Sequence, residues 1–209
     1  MFFYIPMKTR LFILALFLLP LDAFAACVFD LGIENKPCKL QTAHQELYID
    51  IFGKIKTSNI TPAITLQLPN NFYLESATVE QYGADILLVA SITDSEAGSA
   101  IVALIDADTN NIRWQVELLA FNPSSPLISP DAIYIAAFGS IFKIERKSGD
   151  IVWQHLNLYQ RETQAFNSFQ QPEKIGSKVI FRENKVSFAK YDGVQTIVVD
   201  SETGVILQK

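Results

Sequence analysis

The sequence predicts an all-β chain made of about three to four small units of antiparallel strands. Three observations carry this prediction. One phrase recurs at one register: Ile105-Asp106-Ala107-Asp108-Thr109-Asn110-Asn111-Ile112-Arg113-Trp114 is matched by Ile144-Glu145-Arg146-Lys147-Ser148-Gly149-Asp150-Ile151-Val152-Trp153, and again by Val199-Asp200-Ser201-Glu202-Thr203-Gly204-Val205-Ile206-Leu207-Gln208. In each copy an apolar strand ends in an acidic residue, a Ser or Thr with Gly or Asn turns the chain, and a second apolar strand begins, which is the pattern of a β-hairpin. Finally, alternating and β-branched runs outnumber helical ones throughout the chain after residue 25, where no amphipathic helix stands out.

The first element in chain order is an export signal. Lys8 and Arg10 precede an apolar run from Leu11 to Leu21, and Ala23-Phe24-Ala25 supplies the small-x-small pattern of a peptidase site. The run is about half of the roughly 20 residues that span a bilayer, so residues 1–25 read as a signal peptide and not as an anchor. Met1 and Met7 are alternative starts, since Met7-Lys8-Thr9-Arg10 is itself a compact basic leader. Cleavage falls before Ala26 or before Cys27. The two sites imply different fates for Cys27. It forms a disulfide with Cys38, the only other cysteine, as an even count in an exported chain favours. Alternatively, Phe24-Ala25-Ala26-Cys27 loosely matches a lipoprotein site, and Cys27 carries the lipid. The expected location is periplasmic or secreted, with a membrane-anchored lipoprotein as the alternative.

The mature chain divides by the phrase. Residues 26–69 hold degenerate strands such as Glu46–Phe52 and Ala63–Leu68, and Asp50-Ile51-Phe52-Gly53-Lys54-Ile55 is at best a worn copy. The first clear unit covers 70–119, with strands at Ala84–Ile92 and Ala100–Ile105 joined by the turn-prone Thr93–Ser99. The second covers 120–158, with strands at Ala132–Ala137 and Ile141–Glu145. The third covers 159–209, with strands at Lys178–Arg182, Lys185–Tyr191 and Thr196–Val199, and is lengthened by a Gln-rich stretch, Gln160–Gln171. Within the phrase, Thr109, Ser148 and Thr203 can bond back to local backbone, and Gly149 and Gly204 supply positive φ. Trp114 and Trp153 start outer strands and are expected to pack one unit against the next.

The strand, the Asp106, Glu145 or Asp200 that ends it, the Ser/Thr-Gly turn and the Trp four residues on resemble the repeat of quinoprotein-type (pyrroloquinoline-quinone) β-propellers. The resemblance covers about half of the chain. Asn110 replaces the turn glycine in the first copy, and Gln208 replaces the Trp in the third, which marks a closing unit. The resemblance implies a partial or small β-propeller-like array of about three to four blades. A blade takes roughly 40–50 residues, so a full quinoprotein ring does not fit. Four irregular blades close, or an open arc leaves edges that invite self-association or a partner strand, or the chain is the remnant of a longer propeller.

The chemistry offered is thin. Removing residues 1–25 moves the formal charge from −5 to −6, and no basic run exceeds Arg146-Lys147, which excludes a nucleic-acid surface. His44 and His155 stand apart, and no Gly-x-Ser-x-Gly, phosphate loop or Cys/His signature is present. No cofactor residue carries over from the quinoproteins, because none matches position by position. One acidic group has the spacing of a calcium loop: Asp106, Asp108 and Asn110, with Glu117 eleven positions after Asp106. Asn111 in place of the turn glycine, and strand-like flanks, make it a weak candidate. The expected function is therefore non-enzymatic: a protein-interaction or scaffold module of the bacterial cell envelope, resembling the non-catalytic branch, with no cofactor and with an unidentified protein partner. Its mark would be an exposed aromatic patch on a loop face, around Phe121 or Phe166. The alternatives are a shortened quinone- or calcium-dependent oxidoreductase and a small-ligand or glycan-binding module. The membrane is a partner only if Cys27 is lipidated.

Overall fold

The computed structural model describes residues 25–29, 36–43, 45–57, 63–94, 96–158, 168–184 and 196–209. The signal peptide up to Phe24, His44, Phe166 and the expected strand Lys185–Tyr191 lie outside them. Among the described residues there are seventeen strands in four antiparallel sheets and no helix.

In chain order, β1 (Ala25–Val28) is followed by β2 (Cys38–Gln41), β3 (Glu46–Ile49), β4 (Lys54–Thr57) and β5 (Ile64–Thr65), which form sheet I. Sheet II contains β6 (Tyr73–Tyr82), β7 (Asp85–Thr93), β8 (Gly98–Asp106) and β9 (Asn111–Leu118), with β1 added at the β6 edge. Sheet III contains β10 (Leu127–Ile128), β11 (Ala132–Ala137), β12 (Ser140–Glu145) and β13 (Ile151–His155). Sheet IV contains β14 (Glu173–Ile175), β15 (Lys178–Arg182), β16 (Thr196–Asp200) and β17 (Ile206–Gln208). The strands around the three phrases fall within a residue or two of their expected positions, because each combines β-branched residues with turn residues at both ends.

The sheets stack face to face in sequence. The period of two sends successive side chains to opposite faces, and this alternation sorts the core into three layers. Leu40, Leu47, Ile49 and Ile55 of sheet I meet Ile86, Leu88, Ile101 and Ala103 of sheet II. The other face of sheet II, with Leu87, Val89, Val102 and Leu104, meets Ile133, Ile135, Phe142 and Ile144 of sheet III. The far face of sheet III, with Tyr134, Ala136 and Ile141, meets Val179, Phe181, Ile197 and Val199 of sheet IV. Strands β11 and β12, which have a sheet on both sides, are buried almost throughout, whereas β3, β4, β15 and β16 alternate. Among the described residues no buried cluster joins sheet IV to sheet I. The fold is a small β-propeller-like array of four blades, whose described core joins sheet I to II, II to III and III to IV.

The face of sheet I turned away from sheet II, and that of sheet IV turned away from sheet III, are polar by sequence. Sheet I turns Lys39, Tyr48 and Lys56 outward in one register row, with Lys39 paired to Glu46 and the Tyr48 hydroxyl donating to the same carboxylate. Aligning the turn phrases places Lys178, Ile180, Arg182 and Thr196 of sheet IV where sheet III carries Ala132, Tyr134, Ala136 and Ile141. Those four residues of sheet III bury themselves against the next blade. In sheet IV the row is interrupted by charge, and Arg182 pairs with Glu173 at 2.7 Å.

Two expectations for residues 26–69 need correction. The segment is not degenerate, since it builds a complete four-stranded sheet as well as β1. Its strands β3 and β5 fall within the expected runs Glu46–Phe52 and Ala63–Leu68, whereas β2 and β4 went unrecognised because their outward positions are Lys and Gln and no phrase follows them. Asp50–Gly53 is also not a worn copy. It joins the second and third strands of its sheet, whereas the three phrases each join the third and fourth. Its turn uses the same local chemistry, with Asp50 Oδ1 accepting from the amides of Phe52 and Lys54.

Candidate functional site

The repeat residues meet at joints between blades. Asp106 ends β8, and its Oδ1 accepts from the amides of Asp108 at 3.0 Å and Thr109 at 2.9 Å. Its Oδ2 accepts from Arg113 at 2.7 Å. These amide bonds, led by Thr109 and followed by Arg113, hold the Asp106 carboxyl down at about 2. Asp200 is lowered in the same way, chiefly by the Thr203 amide. In the second copy Ser148 Oγ lies 2.7 Å from Asp150 Oδ2. The turns then need a left-handed residue: Asn110 at φ 53°, Gly149 at 80° and Gly204 at 73°.

The glycines have a second role that the sequence reading missed. A Cβ on Gly149 would stand 2.7 Å from Cδ2 of Trp114, and one on Gly204 would stand 2.7 Å from Cγ of Trp153. The indole of Trp114 donates to the Arg146 carbonyl at 2.8 Å, and that of Trp153 to the Ser201 carbonyl at 3.3 Å. Each Trp therefore lies on the turn glycine of the following blade. The spacing Trp114 to Gly149 and Trp153 to Gly204 carries the signal, but only once the phrase is read across units and not within one. In sheet IV the equivalent place holds Gln208, which pairs with Val198 where Trp153 pairs with Lys143.

The weak calcium set is not brought together. Asp106 has both oxygens engaged within its own turn, and Glu117 lies at the opposite end of β9, accepting from Ser99. Six residue-to-residue steps along the strand lead from Asn111 to Glu117, about 20 Å at 3.3 Å per step. Loop spacing becomes coordination only when the chain coils back, and here it runs straight. Among the described residues no group of three His, Cys, Asp or Glu could hold a metal. A buried Tyr134 between sheets III and IV, its hydroxyl pushed up to about 12 by burial, stays neutral and packs against Trp153.

Asp106 makes the first testable point. Its depressed folded value means that its stabilising contribution is complete above the ordinary value of 3.8 and is lost as pH falls from 3.8 towards about 2. Asp106→Asn is expected to be less stable than the parent at neutral pH, and the gap is expected to narrow across that window. Denaturant titrations of both proteins at stepped pH check it.

The two cysteines are joined, with a Cα–Cα distance of 6.0 Å. The bond ties β1, paired to β6 of sheet II, to β2 of sheet I. A sulfur so bonded has no valence left for an acyl chain.

The end of the array opposite the phrases carries a groove of about 710 Å³ between the loops of sheets II and III. The β7–β8 connection contributes Asp94, Glu96 and Gly98, the β11–β12 turn contributes Phe138, and the segments leaving β9 and β13 contribute Leu119, Phe121, Leu156 and Asn157. Leu119 is 77% exposed and Leu156 38%. The Phe121 and Phe138 rings are tilted, with centroids 5.6 Å apart, and the Phe138 amide donates to the Phe121 carbonyl. Gly98 lets Phe121 lie against backbone, since a Cβ there would come within 2.4 Å of the ring. The chain leaves one sheet for the next through left-handed asparagines, Asn71, Asn122 and Asn157, a blade-boundary signal present in the sequence but not used. Phe121 thus sits on a loop face with aromatic and aliphatic neighbours.

No family model and no curated protein matches the chain. Among solved structures, the computationally designed Ika8 protein is similar over 81% of this chain and 47% of its own, at a TM-score of 0.50 and 11% identity. A quinohemoprotein alcohol dehydrogenase from Pseudomonas putida is matched over 88% of this chain and 22% of its own, at 0.41 and 12%. The Neurospora crassa Pan2 WD40 domain is matched over 88% and 69%, at 0.38 and 8%. The chain spans about half the length of the first of these and about a fifth of the second. Likeness at such identity concerns the fold alone.

Proposed function

We propose that this is an exported, non-enzymatic protein-interaction module of the cell envelope, a short array of quinoprotein-type repeats of the non-catalytic kind, which holds a partner protein on its loop face. The observation that carries the reading is the groove, where an exposed Leu119 and a half-exposed Leu156 flank the paired rings of Phe121 and Phe138. Contiguous apolar surface of this kind marks interaction sites. The carboxylates of Asp106, Asp200 and Asp94 each close a turn. Export is supported by the leader and by the Cys27–Cys38 disulfide, which suits an oxidising compartment. Intact mass of the native protein is expected to give a start at Ala26 and a gain of two protons on reduction.

The polar outer faces of sheets I and IV favour a partner other than a second copy, so light scattering is expected to give the mass of one chain at micromolar concentration. A photo-reactive residue placed at Leu119 in the native host is expected to trap a protein adduct, and one placed at Lys56 on the outer face of sheet I is expected to trap none. Adducts at Lys56 alone would move the interaction surface to the outer face of sheet I, and the absence of any adduct at Leu119 would overturn the role of the groove.

A further inference from the structure

The charge of the groove bears on what it can hold, given the interaction role on which this step rests. Its rim carries two carboxylates, Asp94 and Glu96, and its described lining has no lysine or arginine. The amides of Glu96 and Ala97 donate to Asp94 Oδ1 at 2.7 and 2.6 Å, which fixes the loop and keeps that charge in place at the rim. Glu96 is exposed beside it. The same groove is also lined by the aliphatic Leu119 and Leu156. The volume, about 710 Å³, lies within the range that closes around a few side chains.

We propose that the groove takes a short segment of a partner protein in which a lysine or arginine stands next to an aromatic or branched aliphatic anchor. The anchor packs on Phe121 and Phe138, and the cation faces Asp94 and Glu96. Complementary charge at the rim of an apolar site steers encounter and selects among partners more than it adds affinity. An acidic segment meets two like charges at the same rim and is rejected. Gly98 belongs to the same device, because a Cβ at that position would run into the Phe121 ring.

The test uses the mature, oxidised chain and two pools of short synthetic peptides. Each pool has a fixed central tyrosine, flanked by lysine or arginine in one and by aspartate or glutamate in the other. The basic pool is expected to bind, to weaken as salt is raised, to bind about two- to fivefold more weakly to Glu96→Gln, and about tenfold more weakly to Leu119→Ser. Both positions are exposed, and circular dichroism checks that each variant folds. Equal binding of the two pools that is still lost in Leu119→Ser would overturn the charge selection and leave the interaction role standing. If neither pool binds, or if binding is unchanged in Leu119→Ser, this inference fails together with the groove as the interaction site.

Discussion

Replacing Trp114 with alanine is expected to lower the stability of the array by about 3–5 kcal/mol, the range for removing a large aromatic from a core. Trp114 belongs to sheet II but buries itself in the layer shared with sheet III, beside Leu104 and Phe142. Its ring covers Gly149, so alanine opens a cavity at the turn as well as in the layer. Its indole also satisfies the Arg146 carbonyl. Phenylalanine at the same place keeps most of the contact and loses the hydrogen bond, and is expected to cost about 1–2 kcal/mol. Gly149→Ala attacks the joint from the other side. It places a side chain at φ 80° and into the indole, so it is expected to be destabilising by at least 1–3 kcal/mol, in the range for strained positions. Because the two residues touch, the double variant is expected to lose less than the sum of the single losses. Urea denaturation of the four proteins reads this directly. An additive double variant, or a Trp114→Ala midpoint equal to the parent's, would refute the joint.

The parts of the fold legible in the sequence are those where local chemistry and burial agree. The strand Ala132–Ala137 was readable because it is apolar, rich in β-branched residues and bounded by Ser129-Pro130-Asp131 and Phe138-Gly139, and it lies where expected. The short strands β2, β4 and β14 were not readable, because four residues of alternation in β2 and β4 do not stand out from a loop and β14 is exposed throughout. The long strand β6 was missed for a related reason. Thr78, Glu80 and Gln81 break its apolar pattern, although Ala77 and Val79 are buried. Of the candidate site, Phe121 was legible as an aromatic beside a turn. The groove around it was not, since Gly98, Phe138 and Leu156 come from three loops that only the stacking of sheets II and III brings together.

Removing the disulfide by Cys27→Ser with Cys38→Ser is expected to lower stability by about 3 kcal/mol in the chain-entropy account, for a loop whose ends are 11 residues apart. The loss has a particular place. β1 is four residues long, three of them in a chain that starts at Ala26, and lies against Ser76 to Val79, too short a strand to remain docked on hydrogen bonds alone. Cys27 and Phe29 are both buried in the layer between sheets I and II, so detaching β1 also exposes apolar surface at the joint. The bond therefore ties the first sheet to the second beside the layer in which sheet I packs on sheet II. Two measurements separate the chain-entropy effect from the loss of packing. Reducing the wild-type protein is expected to lower its denaturation midpoint to that of the double serine variant, because both cut the same tether. Hydrogen exchange is expected to speed up first at the amides of β1 and β6 that pair across Ser76–Val79. A wild-type midpoint indifferent to reductant would mean that β1 is held by packing alone, and the tether would then have no part in holding the first two blades together.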